Sequence, residues 1–228
     1  MRKSLLLPLI FGLAGVAVLL ALGKWQVDRL AWKEGVLANI AARIAADPVA
    51  VPVAPDPVVD AYLPVIVEGV FAAPALRVLV SRKRVGAGYR LISALQTDGR
   101  RILVDRGFVP VGAVIPAPPE GALRLMGNLH WPDDRLGSTP ENDVAGNMWF
   151  ARDIADMAAV LETEPVLMVL REMSPPESGV TPLPVDTSGI PNDHLGYAIT
   201  WFSLAAIWAT MTFYYILRGR NLSKGASS

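Results

Sequence analysis

The sequence predicts a membrane protein in which two transmembrane α-helices, one at each end, flank an exported α+β domain dominated by antiparallel β-strands. Three observations carry this. No charged residue stands between Lys3 and Lys24, and none between His194 and Arg218. At ~1.5 Å per residue each run spans roughly 30 Å, the thickness of a hydrocarbon core. The mean hydropathy of +0.38 is high for a water-soluble chain, and short β-branched segments separated by turn residues fill the middle.

Residues 1–3 form a basic N-terminus and residues 4–24 the first membrane helix. A cleaved signal peptide would also begin with Arg2-Lys3 and could end at Ala21-Leu22-Gly23. The apolar run exceeds a usual signal core, which favours a retained anchor. Residues 25–61 hold an amphipathic helix and a Pro-rich linker. Trp25 sits where interfacial tryptophans are enriched, and Val27, Leu30, Leu37, Ile40 and Ile44 recur at helical spacing. Pro48, Pro52, Pro55 and Pro57 then forbid a helix.

Residues 62–174 form the β-rich domain. Strands are expected at Val65–Phe71, Arg77–Ser81, Arg90–Gln96, Arg101–Phe108, Leu123–Leu129 and Val166–Leu170. Asp98-Gly99 marks a tight hairpin between two of them. A helix fits Asp153 to Leu161, with Asp153 as cap and Ile154, Met157, Ala158 and Leu161 on one face. A second Pro-rich linker, residues 175–193, leads to the second membrane helix at 194–217 and a tail at 218–228.

The net charge is zero, but every Asp and Glu lies between the two apolar runs, whereas the termini carry only Arg2, Lys3, Arg218, Arg220 and Lys224. This pattern argues against a nucleic-acid partner. It suits two cytoplasmic ends and an exported middle. There is no cysteine, which excludes disulfides, thiol catalysis and covalently attached haem of the Cys-x-x-Cys-His kind.

No catalytic residue is assigned, and the chain is not read as an enzyme. His130 reads as a loop or surface histidine. Asp133-Asp134 and Glu162/Glu164 read as solvated turn and helix-end charge, and Arg82-Lys83-Arg84 as a solvated turn. Gly86-Ala87-Gly88 has no helix start after it and is not a phosphate loop.

The second membrane helix differs. His194, Trp201, Trp208 and Tyr215 recur every seven residues and so return to nearly one face, which Tyr197 joins at i+3. Imidazole is a good ligand for haem iron. A porphyrin could lie along such a stripe. The same aromatics could instead anchor the helix at interfaces and pack it on the first.

Four segments resemble the surfeit locus protein 1 family of cytochrome c oxidase assembly factors. They are Gly23-Lys24-Trp25-Gln26-Val27-Asp28-Arg29-Leu30-Ala31-Trp32-Lys33, Asp105-Arg106-Gly107-Phe108-Val109-Pro110, Trp149 with Asp153, and Asn192-Asp193-His194-Leu195-Gly196-Tyr197-Ala198-Ile199-Thr200-Trp201-Phe202. Asp193 stands where many members carry a second Asn, and could still accept a hydrogen bond from an imidazole N–H.

The resemblance implies a bacterial inner-membrane protein that binds haem a transiently and assists its insertion into oxidase subunit I. It implies His194 as iron ligand and Trp201, Tyr197 and Asn192 as cofactor contacts, with no other metal. It implies the lipid bilayer, subunit I and haem A biosynthesis or other assembly proteins as partners. A haem-free scaffold holding subunit I, or a factor serving a quinol oxidase, stays open.

Overall fold

The computed structural model describes residues 3–82 and 85–225, so Lys83 and Arg84 of the basic run lie outside the described residues. The order is α1 (Lys3–Ile44), β1 (Val49–Ala50), β2 (Pro64–Arg82), β3 (Gly86–Thr97), β4 (Arg100–Pro110), β5 (Leu123–Leu129), α2 (Ile154–Leu161), β6 (Leu167–Ser174) and α3 (His194–Gly225). Two compact units result. One is Ile40–Thr187; the other joins the helices, up to Asn39 and from Ser188 onward.

In the β unit, Asp98 and Gly99 both have positive φ (34° and 77°) and form the two-residue turn that the Asp-Gly pair predicts. β3 and β4 pair from Thr97↔Arg100 to Gly88↔Pro110. The two strands expected at 65–71 and 77–81 are one strand, β2, bent by an irregularity between Ala72 and Leu76. Its first part pairs with β5 and its second with β3. The neighbours β2–β3–β4–β6–β5 therefore return to β2, and the sheet closes into a five-stranded ring.

The strands are not purely antiparallel. β6 runs parallel to β4, and β1 runs parallel to β2. The first case follows from the chain path: β5 and α2 intervene between β4 and β6, and a long crossover allows a strand to return in the same direction. The second places Val49 and Ala50, in the proline-rich stretch expected as linker, in the sheet beside Val65 and Ile66.

Alternation along β4 and β6 divides the core. Ile102, Val104, Met168 and Leu170 join Val65, Leu95 and Leu125 in one layer. Leu103, Leu167 and Val169 point the other way and are covered by Trp149 and by Met157, Ala158 and Leu161 of α2. Strands buried on both faces read as unbroken apolar runs, as Ile102-Leu103-Val104 does. Asp153 occupies the N-cap of α2 without a side-chain cap bond. Its carboxylate instead accepts from Arg135 Nη2 at 2.6 Å and from Asn142.

α1 continues without a break through residues 24–26 to Ile44. Both α1 and α3 are long and apolar enough to cross a membrane.

Candidate functional site

Helices α1 and α3 pack antiparallel on a seam of small residues. A β-carbon at Gly23 would lie 2.7 Å from Phe202 Cε1, and one at Gly15 2.7 Å from Trp208 Cε2. Ala198 and Ala205 are the buried residues on the α3 side. Small residues let two helix backbones approach closely where no hydrophobic force separates lipid from protein. Trp208 fills the notch at Gly15 and donates its indole N–H to the Gly12 carbonyl at 3.1 Å. The hydroxyls of Thr200 and Thr210 donate to the carbonyls of Gly196 and Ala206, so these polar groups are satisfied within α3.

At the other end of the seam, Gln26 is only 8% exposed. Its Oε1 lies 2.8 Å from Nδ1 of His194, the first residue of α3. With the carboxamide oxygen accepting, the proton sits on Nδ1 and the Nε2 lone pair is free. This donor set suits an iron porphyrin, which needs one axial imidazole and no chelating cluster. Among the described residues no group of three His, Cys, Asp or Glu side chains is placed to hold a metal ion.

The other residues of the predicted stripe divide. Trp201 is half-buried on the His194 face. Trp208 is committed to the glycine notch, so the helix-packing role holds there. Tyr197 is 57% exposed, and Ala198 rather than Tyr197 enters the seam. Tyr215 is exposed at the far end. Asn192 is half-buried, and its Oδ1 is buried without a partner among the described residues. Asp193 is exposed and does not bond the imidazole; its backbone carbonyl accepts from Tyr197 N–H at 3.2 Å. The side chain that meets the imidazole is not that of Asp193 but that of Gln26. The seam glycines, continued one turn past Gly23, point to it.

The β unit uses its charges structurally. Leu91 pairs with Gly107 and Ile92 with Asp105, so Arg106 is the extra residue of a β-bulge. Arg106 is fully buried. It donates from Nε to Glu177 at 3.0 Å, from Nη1 to Ser93 Oγ at 3.3 Å and from Nη2 to the Ala117 carbonyl at 3.3 Å. Asp105, also buried, pairs with Arg90 and, at 3.6 Å, with Arg152.

Arg152 donates to both oxygens of Asp134, at 2.6 and 3.1 Å, so Asp134, exposed as expected, is also an ion-pair partner. Glu164 likewise takes two bonds from Arg100 at 2.9 and 2.6 Å. His130 is half-buried beside this cluster, with its ring 5.5 Å from that of Tyr62. Burial and the nearby Arg152 push its pKa down to about 4. It is therefore neutral at neutral pH, and it stands just past the end of β5, outside any helix or strand, as the loop expectation has it.

The SURF1 family model matches residues 13–206, from the seam of α1 to the seam of α3. The chain belongs to the SURF1 family. The human surfeit locus protein 1 is 32% identical over 223 residues, covering 87% of this chain and 74% of the human one. A SURF1-like protein of Monosiga brevicollis is 32% identical over 231 residues, covering 90% of this chain and 86% of its own. The mouse surfeit locus protein 1 is 27% identical, covering 89% and 73%. The matched region contains Gln26, His194 and Trp201 of this family member, together with the Asp105–Gly107 bulge.

Proposed function

We propose that this SURF1 family member is a non-enzymatic assembly factor for haem-copper cytochrome c oxidase, and that it binds haem a through His194 and assists its insertion into subunit I. The single observation that carries the haem reading is the contact between Gln26 Oε1 and His194 Nδ1, which leaves Nε2 available. When bound, the haem would supply an iron that His194 Nε2 would hold. Trp201, one heptad from His194, would supply an aromatic surface, with Asn192 and Tyr197 as further contacts. One protein ligand is compatible with handing the cofactor on, since a single bond must break.

α1 and α3 present apolar side chains outward, among them Leu13, Val18, Ile199 and Ile207, each more than half exposed. Such helices are at home in lipid. With the basic termini, this supports an inner-membrane protein with both ends cytoplasmic and the β unit periplasmic.

One observation favours a second reading. Trp208 has its indole N–H bound to Gly12 and one side packed in the glycine notch, which leaves it only partly open to a porphyrin. A haem-free scaffold that holds subunit I while other factors insert cofactors fits that arrangement, and the client could equally be a quinol oxidase.

The deciding experiment is an optical spectrum of the chain purified after coexpression with haem A biosynthesis. The haem reading expects a haem spectrum in the wild type that is lost in His194→Ala. A haem-free wild type that copurifies with subunit I, unaffected by His194→Ala, establishes the scaffold.

A further inference from the structure

A buried carboxamide at the mouth of an apolar helix needs a partner, because an unpaired amide in a low-dielectric setting is costly. Gln26 stands on the α1 seam one turn beyond Gly23, where the other seam residues Gly12, Gly15 and Gly23 are small enough to admit α3. Its Oε1 meets one atom, Nδ1 of His194, at 2.8 Å. The geometry has two possible proton arrangements with opposite chemical consequences. If the carboxamide oxygen accepts, Nδ1 carries the hydrogen and Nε2 is a base. If the amide N–H₂ were turned to donate, Nδ1 would be the base and Nε2 would carry the hydrogen, which would block that nitrogen as a ligand.

We propose that Gln26 is a positioning residue that fixes His194 in the Nδ1–H tautomer and aims Nε2 at the iron of a haem. The inference rests on the reading of His194 as the haem ligand. Iron-bound and other metal-bound histidines almost always donate their second ring N–H to a carboxylate or carbonyl. That outer bond sets the tautomer and the ring orientation and raises the basicity of the ligating nitrogen. Here the acceptor comes from a helix 168 residues away in the chain. The ligating geometry is therefore available only while α1 and α3 are docked in this register. A bond that merely stapled the two helices would be indifferent to which ring nitrogen holds the hydrogen.

The test uses the full-length protein in nanodiscs, labelled with ¹⁵N-histidine. His194 and His130 are the only histidines, so a His130→Gln control assigns both signals. In haem-free protein at alkaline pH, the wild type should show the Nδ1–H tautomer at His194. Gln26→Leu should show the tautomer mixture of free imidazole, and Gln26→Glu should restore Nδ1–H.

With haem added, Gln26→Leu should bind about 10–100-fold more weakly, the range for loss of an outer-shell partner. Gln26→Glu should bind as the wild type does and shift the haem midpoint potential downward, because a carboxylate acceptor makes the imidazole more electron-rich. An Nε2–H tautomer in the wild type, or equal haem affinity in Gln26→Leu and wild type, overturns the role of Gln26. Haem binding unchanged in His194→Ala overturns the ligand reading itself. The two failures are distinguishable, because the tautomer is read without haem.

Discussion

Phe108 and Thr181 exchange both of their backbone hydrogen bonds, at 2.8 and 3.0 Å, and the α-carbon of Gly107 faces the Thr181 carbonyl beside that bridge. Gly107 has φ of 128°, a conformation L-residues rarely adopt. An added β-carbon would meet the Thr181 carbonyl carbon at 2.7 Å and Pro182 Cα at 2.8 Å, both backbone atoms. Gly107→Ala should therefore destabilise the β unit by roughly 3 kcal/mol or more, the range of combined strain and overpacking. A thermal melt of the purified variant checks this, and a wild-type midpoint would refute it.

Asp105 faces two guanidiniums in the buried cluster. Removing the carboxylate leaves Arg90 and Arg152 close together with one fewer anion between them. Asp105→Ala should cost about 3–5 kcal/mol, as loss of one member of a buried ion pair does. Arg101→Ala removes only a 3.5 Å contact to a largely exposed Glu162 and should cost under ~1 kcal/mol. Denaturant midpoints of the two variants should differ clearly; equal midpoints would show that the buried cluster is not what holds this part of the sheet.

His130 gives a pH signature. Its folded pKa, about 4, lies below the 6.5 of free imidazole, so between these values the unfolded chain binds more protons. The stability from keeping His130 neutral is complete above pH 6.5 and is lost as pH falls toward 4. After allowing for partial exposure of the ring, the loss should be on the order of 1–3 kcal/mol. Unfolding free energy measured across this range should decline with falling pH in the wild type and decline less in His130→Gln. Parallel curves would show that the ring does not carry the effect.

The seam between α1 and α3 depends on absent side chains. A β-carbon at Gly15 would lie 2.5 Å from Trp208 Nε1, so Gly15→Ala must displace the indole and its bond to Gly12. The expected cost is about 1–3 kcal/mol of helix pairing. Disulfide trapping between cysteines introduced on the facing helices reads it as reduced crosslink yield. Undiminished crosslinking would mean that Trp208 is not wedged in the notch.

Much of this was legible in the sequence. The Asp98-Gly99 hairpin, β5 and α2 follow from turn chemistry and periodicity, which act over a few residues. The ring closure was not legible, because the pairing of β2 with β5 joins segments about sixty residues apart and nothing local to β2 names the strands it meets. Asp105-Arg106-Gly107 was visible as a motif, but a bulge that buries two charges cannot be told from a solvated strand end without knowing what covers it. At the candidate site, the spacing of His194 and Trp201 marked one face of a helix. Gln26 stayed unassigned because nothing local to it names a partner so far along the chain.

Gly12 and Gln26 are two heptads apart on α1, and their partners Trp208 and His194 are two heptads apart on α3. The two hydrogen bonds act as paired pins in a gauge, closing together only when the helical segments between them match in length and phase. Deleting one residue from α1 between the pins would swing Gln26 by ~100° and withdraw it ~1.5 Å, leaving every side chain chemically intact and the imidazole unheld. Removing a whole heptad from both helices would keep the phase, and with it both bonds. What these two helices encode is thus an interval as much as a set of residues.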